Sequence, residues 1–265
     1  MSEIQLATVL IGATSFDEGN INDTFRGQVL TSDSETHQAI IKDLDLIQLC
    51  NELLACCLAR TIGLPIPESF LGIVRPGVLN VSKAPLLQDG SRLVFVSVDV
   101  KVPNVTYRWC GSDTDGKKAL LDEVTKWSDL GNLYAYDTWI ANVDRHMGNL
   151  LFGGKGEFWL IDHGHSFTGP NWKPDQLNPE GEYMNRLSEW VTIFLSLDQK
   201  KQRATEVRKF GLHIDGFDAS EVSKNSRIND LLPLQTAAAL KEFLENRTSK
   251  VSAHASKALG VPTMI

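Results

Sequence analysis

The chain has 265 residues, 42% of them hydrophobic and 22% charged, with a formal net charge of −7. That size and composition suit a globular protein with a substantial core, as one large domain or two lobes. The acidic balance argues against a generic nucleic-acid or anionic-membrane binder, and apolar runs such as residues 93–98 are too short to span a bilayer.

Residues 4–13 are apolar and β-leaning, 25–30 form a second strand candidate and 38–44 a third. The segment between the first two, Phe16 to Thr24, is rich in turn formers. From Asp45 the pattern becomes helical: Leu46, Leu49, Cys50, Leu53, Leu54, Cys57 and Leu58 recur at three and four. Gly63, Pro65 and Pro67 end it. Residues 70–74 and 92–98 read as further strands, so the first hundred residues predict a mainly antiparallel sheet with one helix. After Pro103 the texture is helical, with candidates at 122–127, 133–143, 182–197, 200–210 and 234–246, the second running straight into Asp144.

The expected architecture is α+β and bilobal, with a small β-rich lobe over residues 1–98 and a larger helical lobe over 99–265. Cys50, Cys56, Cys57 and Cys110 form no C-x-x-C pair, and three of them read as small buried hydrophobes on one helix. Met1-Ser2-Glu3-Ile4-Gln5 has neither the basic nor the apolar region of a secretory signal. A reduced, cytoplasmic protein is expected, with no membrane and no direct nucleic-acid partner.

The stretch Asp144 to Phe167 concentrates the chemistry. Leu150-Leu151-Phe152 and Trp159-Leu160-Ile161 are apolar arms around a Gly-rich turn, a hairpin pattern. A register pairing Leu150 with Ile161 sets Asn149 opposite Asp162, about 4.5–5.5 Å apart. A carboxamide and a carboxylate then meet at the open end of the hairpin, with Asp144 five residues upstream. Hard oxygen ligands beside a second carboxylate suit Mg²⁺ carrying nucleotide phosphates. Singly, Asp144 reads as a cap and Asn149 as a turn residue. Together, D-x-x-x-x-N, a hairpin and D-x-G follow the order of kinase catalytic parts.

Lys42 is a charge inside the strand-like run Ala39 to Leu44; on its own it reads as a snorkelling edge lysine. Glu52 falls at the margin of the helix's apolar stripe, where a carboxylate needs a cation or water. A strand lysine paired with a helix glutamate is how kinases hold the α- and β-phosphates. Neither G-x-G-x-x-G nor G-x-x-x-x-G-K-[ST] occurs; the segment 17–24, with Asn22 and Thr24, is the candidate phosphate-covering loop by its position between two strands. His163-x-His165 beside Asp162 could ligate zinc, but it has no third spaced ligand and no cysteine support, so magnesium is favoured.

Asn142 to Asn149 followed by Leu160 to Phe167 resembles the HipA-like kinases and, more distantly, phosphatidylinositol kinases. Ile41-Lys42, Asn51-Glu52 and the run Leu58 to Pro67 resemble the strand lysine, helix glutamate and helix exit of the HipA-like group. The resemblance implies a bilobal protein-kinase-like fold with ATP between the lobes. It implies that Asp144 orients the acceptor hydroxyl, Asn149 and Asp162 hold Mg²⁺, and Lys42 touches the phosphates with Glu52 as anchor. Ser97, Val98 and Asp99 would offer backbone groups to adenine. The implied acceptor is a Ser or Thr of a protein substrate of unknown identity, in the setting of toxin–antitoxin kinases with an antitoxin-type partner. The rivals are a small-molecule or lipid kinase, nucleotidyl transfer, and an ATP-binding pseudokinase without transfer activity.

Overall fold

The computed structural model describes residues 3–15 and 23–261. Strands β1 (Leu6–Val9), β2 (Thr14–Ser15), β3 (Thr24–Thr31) and β4 (Thr36–Lys42) precede helix α1 (Leu46–Thr61), followed by β5 (Ser69–Val74) and β6 (Arg92–Val98). Period-two alternation divides these strands into two faces. In β4, Ala39 and Ile41 point into an apolar core with Val29, Phe70, Val94 and Val96. The sheet order is β1-β5-β6-β4-β3, and β1 pairs again with β3, Ala7 opposite Thr31 and Val9 opposite Val29. The mainly antiparallel sheet thus closes into a five-stranded barrel, with β2 appended to β3 and β1–β5 as its parallel pair. Closure leaves little room inside: a Cβ on Gly72 would lie 2.5 Å from Val96 Cγ2.

Helix α1 begins and ends where its sequence signals place it. The Asp45 carboxylate accepts the Gln48 N–H at 3.0 Å, satisfying an end donor, and Gly63 takes the left-handed φ of +74° just past the end. Residues from Gln48 to Ala59 are buried on every side, because α1 lies between barrel strands β5 and β6 and two C-terminal helices. Glu52 is therefore not on a margin: it is 1% exposed.

The remainder comprises α2 (Val105–Gly111), α3 (Thr114–Lys126), α4 (Leu130–Trp139), β7 (Leu150–Gly154), β8 (Glu157–Leu160), α5 (Leu187–Trp190), α6 (Leu197–His213), α7 (Ser220–Asn225), α8 (Ile228–Leu231), α9 (Leu234–Arg247) and α10 (Val251–Ala258). The whole is a mixed α+β fold. Two expected helices need correction. The one predicted to run into Asp144 ends at Trp139, since Ala141 turns left-handed at φ +45° and the Asn142 N–H closes on the Asp137 carbonyl at 2.8 Å. The one predicted over 182–197 is reduced to α5 and a 3₁₀ turn at Thr192–Phe194. There Asn185 directs its side chain to the Tyr134 carbonyl and Thr138, and the β-branched and aromatic run Trp190 to Phe194 propagates a helix poorly. All four cysteines are free thiols, and no helix among the described residues is long and apolar enough to cross a membrane.

Candidate active site

The residues of β4 that point away from the barrel core, Gln38, Ile40 and Lys42, form one wall of a cavity of about 770 Å³. Thr24 and Arg26 of β3 and Phe95 and Ser97 of β6 continue that wall, and the opposite side carries Asp144, His146, Asn149, Asp162, His163 and His165. The volume lies in the range of small-molecule and cofactor pockets.

Lys42 joins the two sides. Its Nζ stands 2.6 Å from Glu52 Oε1 and 3.2 Å from Asp162 Oδ1. Burial opposes its charge, but the Asp162 and Glu52 carboxylates outweigh burial and hold the ammonium above its ordinary range. Burial likewise works against the Glu52 carboxylate; Lys42 and the His163 side chain overcome it and hold the carboxyl below its usual range. Glu52 Oε2 accepts the His163 backbone N–H at 2.9 Å, so one side chain of α1 fixes both the lysine and the residue after Asp162. The neighbouring Asn51 donates Nδ2 to the carbonyls of Gly164, Ser166 and Gly169 at 2.8–3.2 Å and accepts the Trp172 indole at 2.8 Å. Burial holds the His163 imidazole below its ordinary value, towards the neutral form.

The hairpin pairs Leu150 with Leu160, Leu151 with Trp159 and Phe152 with Phe158. This register is one residue off the expected one, so Asn149 faces Ile161, whose N–H reaches the Asn149 carbonyl at 3.3 Å. A one-residue slip within a strand would turn Asp162 to the other face. Asp162 has instead left the strand, at φ +58°, and reaches the same cavity as Asn149. Arg145 clamps this end. Its NH1 donates to the carbonyls of Asn149 and Ile161, both at 2.7 Å, while Nε and NH2 fork onto Asp137 at 3.0 and 3.2 Å. Asn142 binds Asp137 at 3.0 Å and accepts the Asp144 N–H at 3.1 Å.

Asp144 is ringed by cationic or potentially cationic groups. Arg186 NH1 lies 2.5 Å from Oδ1, and His165 Nδ1 and His146 Nε2 stand 3.7 and 3.9 Å from Oδ2. The His146 Nδ1 accepts the Gly148 N–H at 3.0 Å, which assigns the proton of a neutral ring to Nε2, facing Asp144. The Asn149 amide donates Nδ2 to the Asp144 carbonyl at 2.7 Å, leaving Oδ1 to accept or ligate. That oxygen and the Asp162 carboxylate are hard donors on one cavity, a set that fits Mg²⁺.

Residues 30–179, more than half of the chain, match the HipA-like kinase family. The chain belongs to that family. Curated proteins give no match. In this HipA-like kinase the matched stretch contains Lys42, Glu52, Asp144, Asn149 and Asp162, while Arg186 lies beyond it.

Of the residues singled out from sequence, Lys42, Glu52, Thr24, Ser97, Val98, Asp99, Asp144, Asn149 and Asp162 all line the cavity. Asn22 and the rest of the candidate phosphate loop up to it lie outside the described residues. Of the backbone groups expected for adenine, two donors are already engaged within the fold, the Val98 N–H by the Glu68 carbonyl at 2.8 Å and the Asp99 N–H by the Gln38 carbonyl at 2.9 Å. The segment just beyond, Val100 to Pro103, also lines the cavity. Sequence reasoning missed Asn51, Asp137, Arg145 and Arg186. Arg145 stood within the D-R-H motif, and its one signal was a charge flanked by apolar segments on both sides. Asn51 stood beside Glu52 in the stretch that resembles the HipA-like group but was given no role, and Asp137 and Arg186 carried no signal.

Proposed function

We propose that this kinase transfers the γ-phosphoryl group of Mg·ATP to a Ser or Thr hydroxyl of a protein substrate. The reading treats residues 1–98 and 99–265 as two lobes with the nucleotide between them. The observation that carries it is the position of the Lys42 ammonium, between Glu52 and Asp162 on a cavity that also receives Asp144 and Asn149. Asn149 Oδ1 and the Asp162 carboxylate would hold Mg²⁺, which when bound neutralises charge on the β- and γ-phosphates.

Lys42, kept charged by its two carboxylates, binds phosphate oxygens and is held straight by Glu52. Asp144 orients the acceptor hydroxyl. The transition state is loose, so the Asp144 carboxylate receives the proton late, as the new O–P bond forms and the bond to ADP breaks. Arg186 fixes one oxygen of that carboxylate, leaving Oδ2 on the histidine side. Most of the acceleration then comes from positioning and charge neutralisation. Family membership makes a protein acceptor, and an antitoxin-type partner, the natural working hypothesis.

Transfer from γ-labelled ATP, with mass spectrometry on the labelled protein, tests the reading. Wild type should add a phosphate, and Asp144→Ala should lose about 10²–10⁴-fold in rate. Addition of a nucleotide monophosphate instead would sink phosphoryl transfer in favour of nucleotidyl transfer.

A further inference from the structure

Outside the phosphate-facing groups, the inner wall of the cavity carries a second donor set. Glu52, Cys56 and His163 each offer one ligand atom, and these atoms lie within 4.8 Å of one another. Glu52 and Cys56 are four apart on α1 and so share a helix face; His163 arrives from the segment after β8. All three are buried, between 0 and 2% exposed. Neither ring nitrogen of His163 has a hydrogen-bond partner among the described residues. Its Nδ1 stands 3.6 Å from Glu52 Oε2, too far for a good hydrogen bond. An imidazole buried without partners in a native fold calls for an explanation.

We infer that Glu52 Oε2, Cys56 Sγ and His163 form a binding site for a thiophilic divalent cation such as Zn²⁺, separate from the Mg²⁺ donors. One carboxylate, one thiolate and one imidazole are a mixed O, S, N set that zinc accepts and magnesium does not. Zinc bonds of about 2.0–2.3 Å place ligand atoms closer together than 4.8 Å, so the set must contract by roughly 1 Å. Side-chain torsions on one helix face supply that. Binding releases the Cys56 thiol proton to solvent through the cavity, and glutamate and thiolate together then neutralise the ion. Lys42 keeps Asp162 as its counter-ion and still meets Glu52 through Oε1, the oxygen the site does not use. With three protein ligands, the fourth position opens to the cavity.

The site does not depend on transfer activity, so its test is spectroscopic. The exposed thiol of Cys110 is removed by Cys110→Ser in every protein measured. Titration with Co²⁺ should then give a thiolate-to-metal charge-transfer band that saturates at a single equivalent, withstands excess Mg²⁺ and is bleached by Zn²⁺. Cys56→Ser should abolish the band and weaken Zn²⁺ binding by at least about 100-fold. Cys57→Ser, which changes the adjacent buried thiol, should leave the band intact. Absence of a band before Cys56 is changed overturns the proposal. So does a band that survives Cys56→Ser or disappears in Cys57→Ser, and the last result stays decisive even if Cys56→Ser does not fold.

Discussion

Arg145 and Lys42 are both buried cations, yet the chain treats them differently. The Arg145 side chain is 0% exposed and faces an equally buried Asp137, with two backbone carbonyls taking its remaining donors. Lys42 is 13% exposed on a cavity wall, and one of its two carboxylates, Asp162, is 44% exposed. Every partner of Arg145 is internal and permanent. Lys42 shares its charge with a carboxylate that can turn to another ligand. A guanidinium closed in on all sides serves geometry; an ammonium left on a cavity wall is available for chemistry.

Removing each cation should separate these roles. Arg145→Met should give the largest stability loss, about 3–5 kcal/mol by chemical denaturation, because Asp137 is left charged and buried without a counter-ion. Arg145→Lys should recover little of it, since a point charge cannot bridge a carboxylate and two carbonyls as the planar fork does. A variant destabilised by less than about 1 kcal/mol would remove Arg145 from its role as clamp.

Lys42→Ala should cost less, near the lower end of about 3–5 kcal/mol at neutral pH, because Glu52 can take up a proton. The clearer signature is a change of sign with pH. In the wild type the Glu52 carboxyl lies below its ordinary value of 4.5, so its stabilisation is present above that pH and fades as acid is added. Without Lys42, burial dominates and raises the carboxyl above 4.5. The variant should then be most stable in acid and lose stability as pH rises through the raised value. Urea midpoints across the acid and neutral range check this, and parallel slopes in the two proteins would contradict the pairing.

The same contrast explains what could be read in advance. The span of α1 was legible because Asp45, the apolar spacing and Gly63 are local signals. The hairpin was legible too, but its register was not: period-two patterning cannot tell where Asp162 leaves the strand at φ +58°. Helix α4 was overrun because Ala141, an ordinary helix former, turns left-handed there, and the segment 182–197 because its break depends on tertiary contacts, those of Asn185 with Tyr134 and Thr138. Lys42 and Glu52 stood out as charges against apolar surroundings. Asn51 and Asp137 were silent, since their partners are residues whose proximity exists only after folding. Closure of the barrel was equally invisible, because it rests on the return of β1 to β3.

A smaller effect tests the bracing of the loop after Asp162 from α1. Trp172→Phe removes the indole donor to Asn51 and little volume. It should cost about 1–2 kcal/mol, a lost hydrogen bond plus an acceptor left buried and unsatisfied. Faster amide exchange at Gly164 to Gly169 should accompany it, and unchanged exchange there would show that the Asn51 carbonyl contacts hold the loop alone.

The smallest stability effect is expected at Asp162, a residue to which the proposed reaction gives the metal. Asp162→Asn keeps the shape of the side chain, and Asn tolerates the left-handed φ at this position at least as well as Asp. The lost contact with Lys42 is partly exposed and partly screened, and Glu52 remains at 2.6 Å to hold the ammonium. Melting and urea midpoints should therefore stay within about 0.5 kcal/mol of wild type, while transfer from Mg·ATP collapses. A variant that lost stability and activity together would place Asp162 with Arg145, among the side chains that hold the fold. One that lost activity alone would place it with Lys42, among the groups the fold holds ready for a ligand.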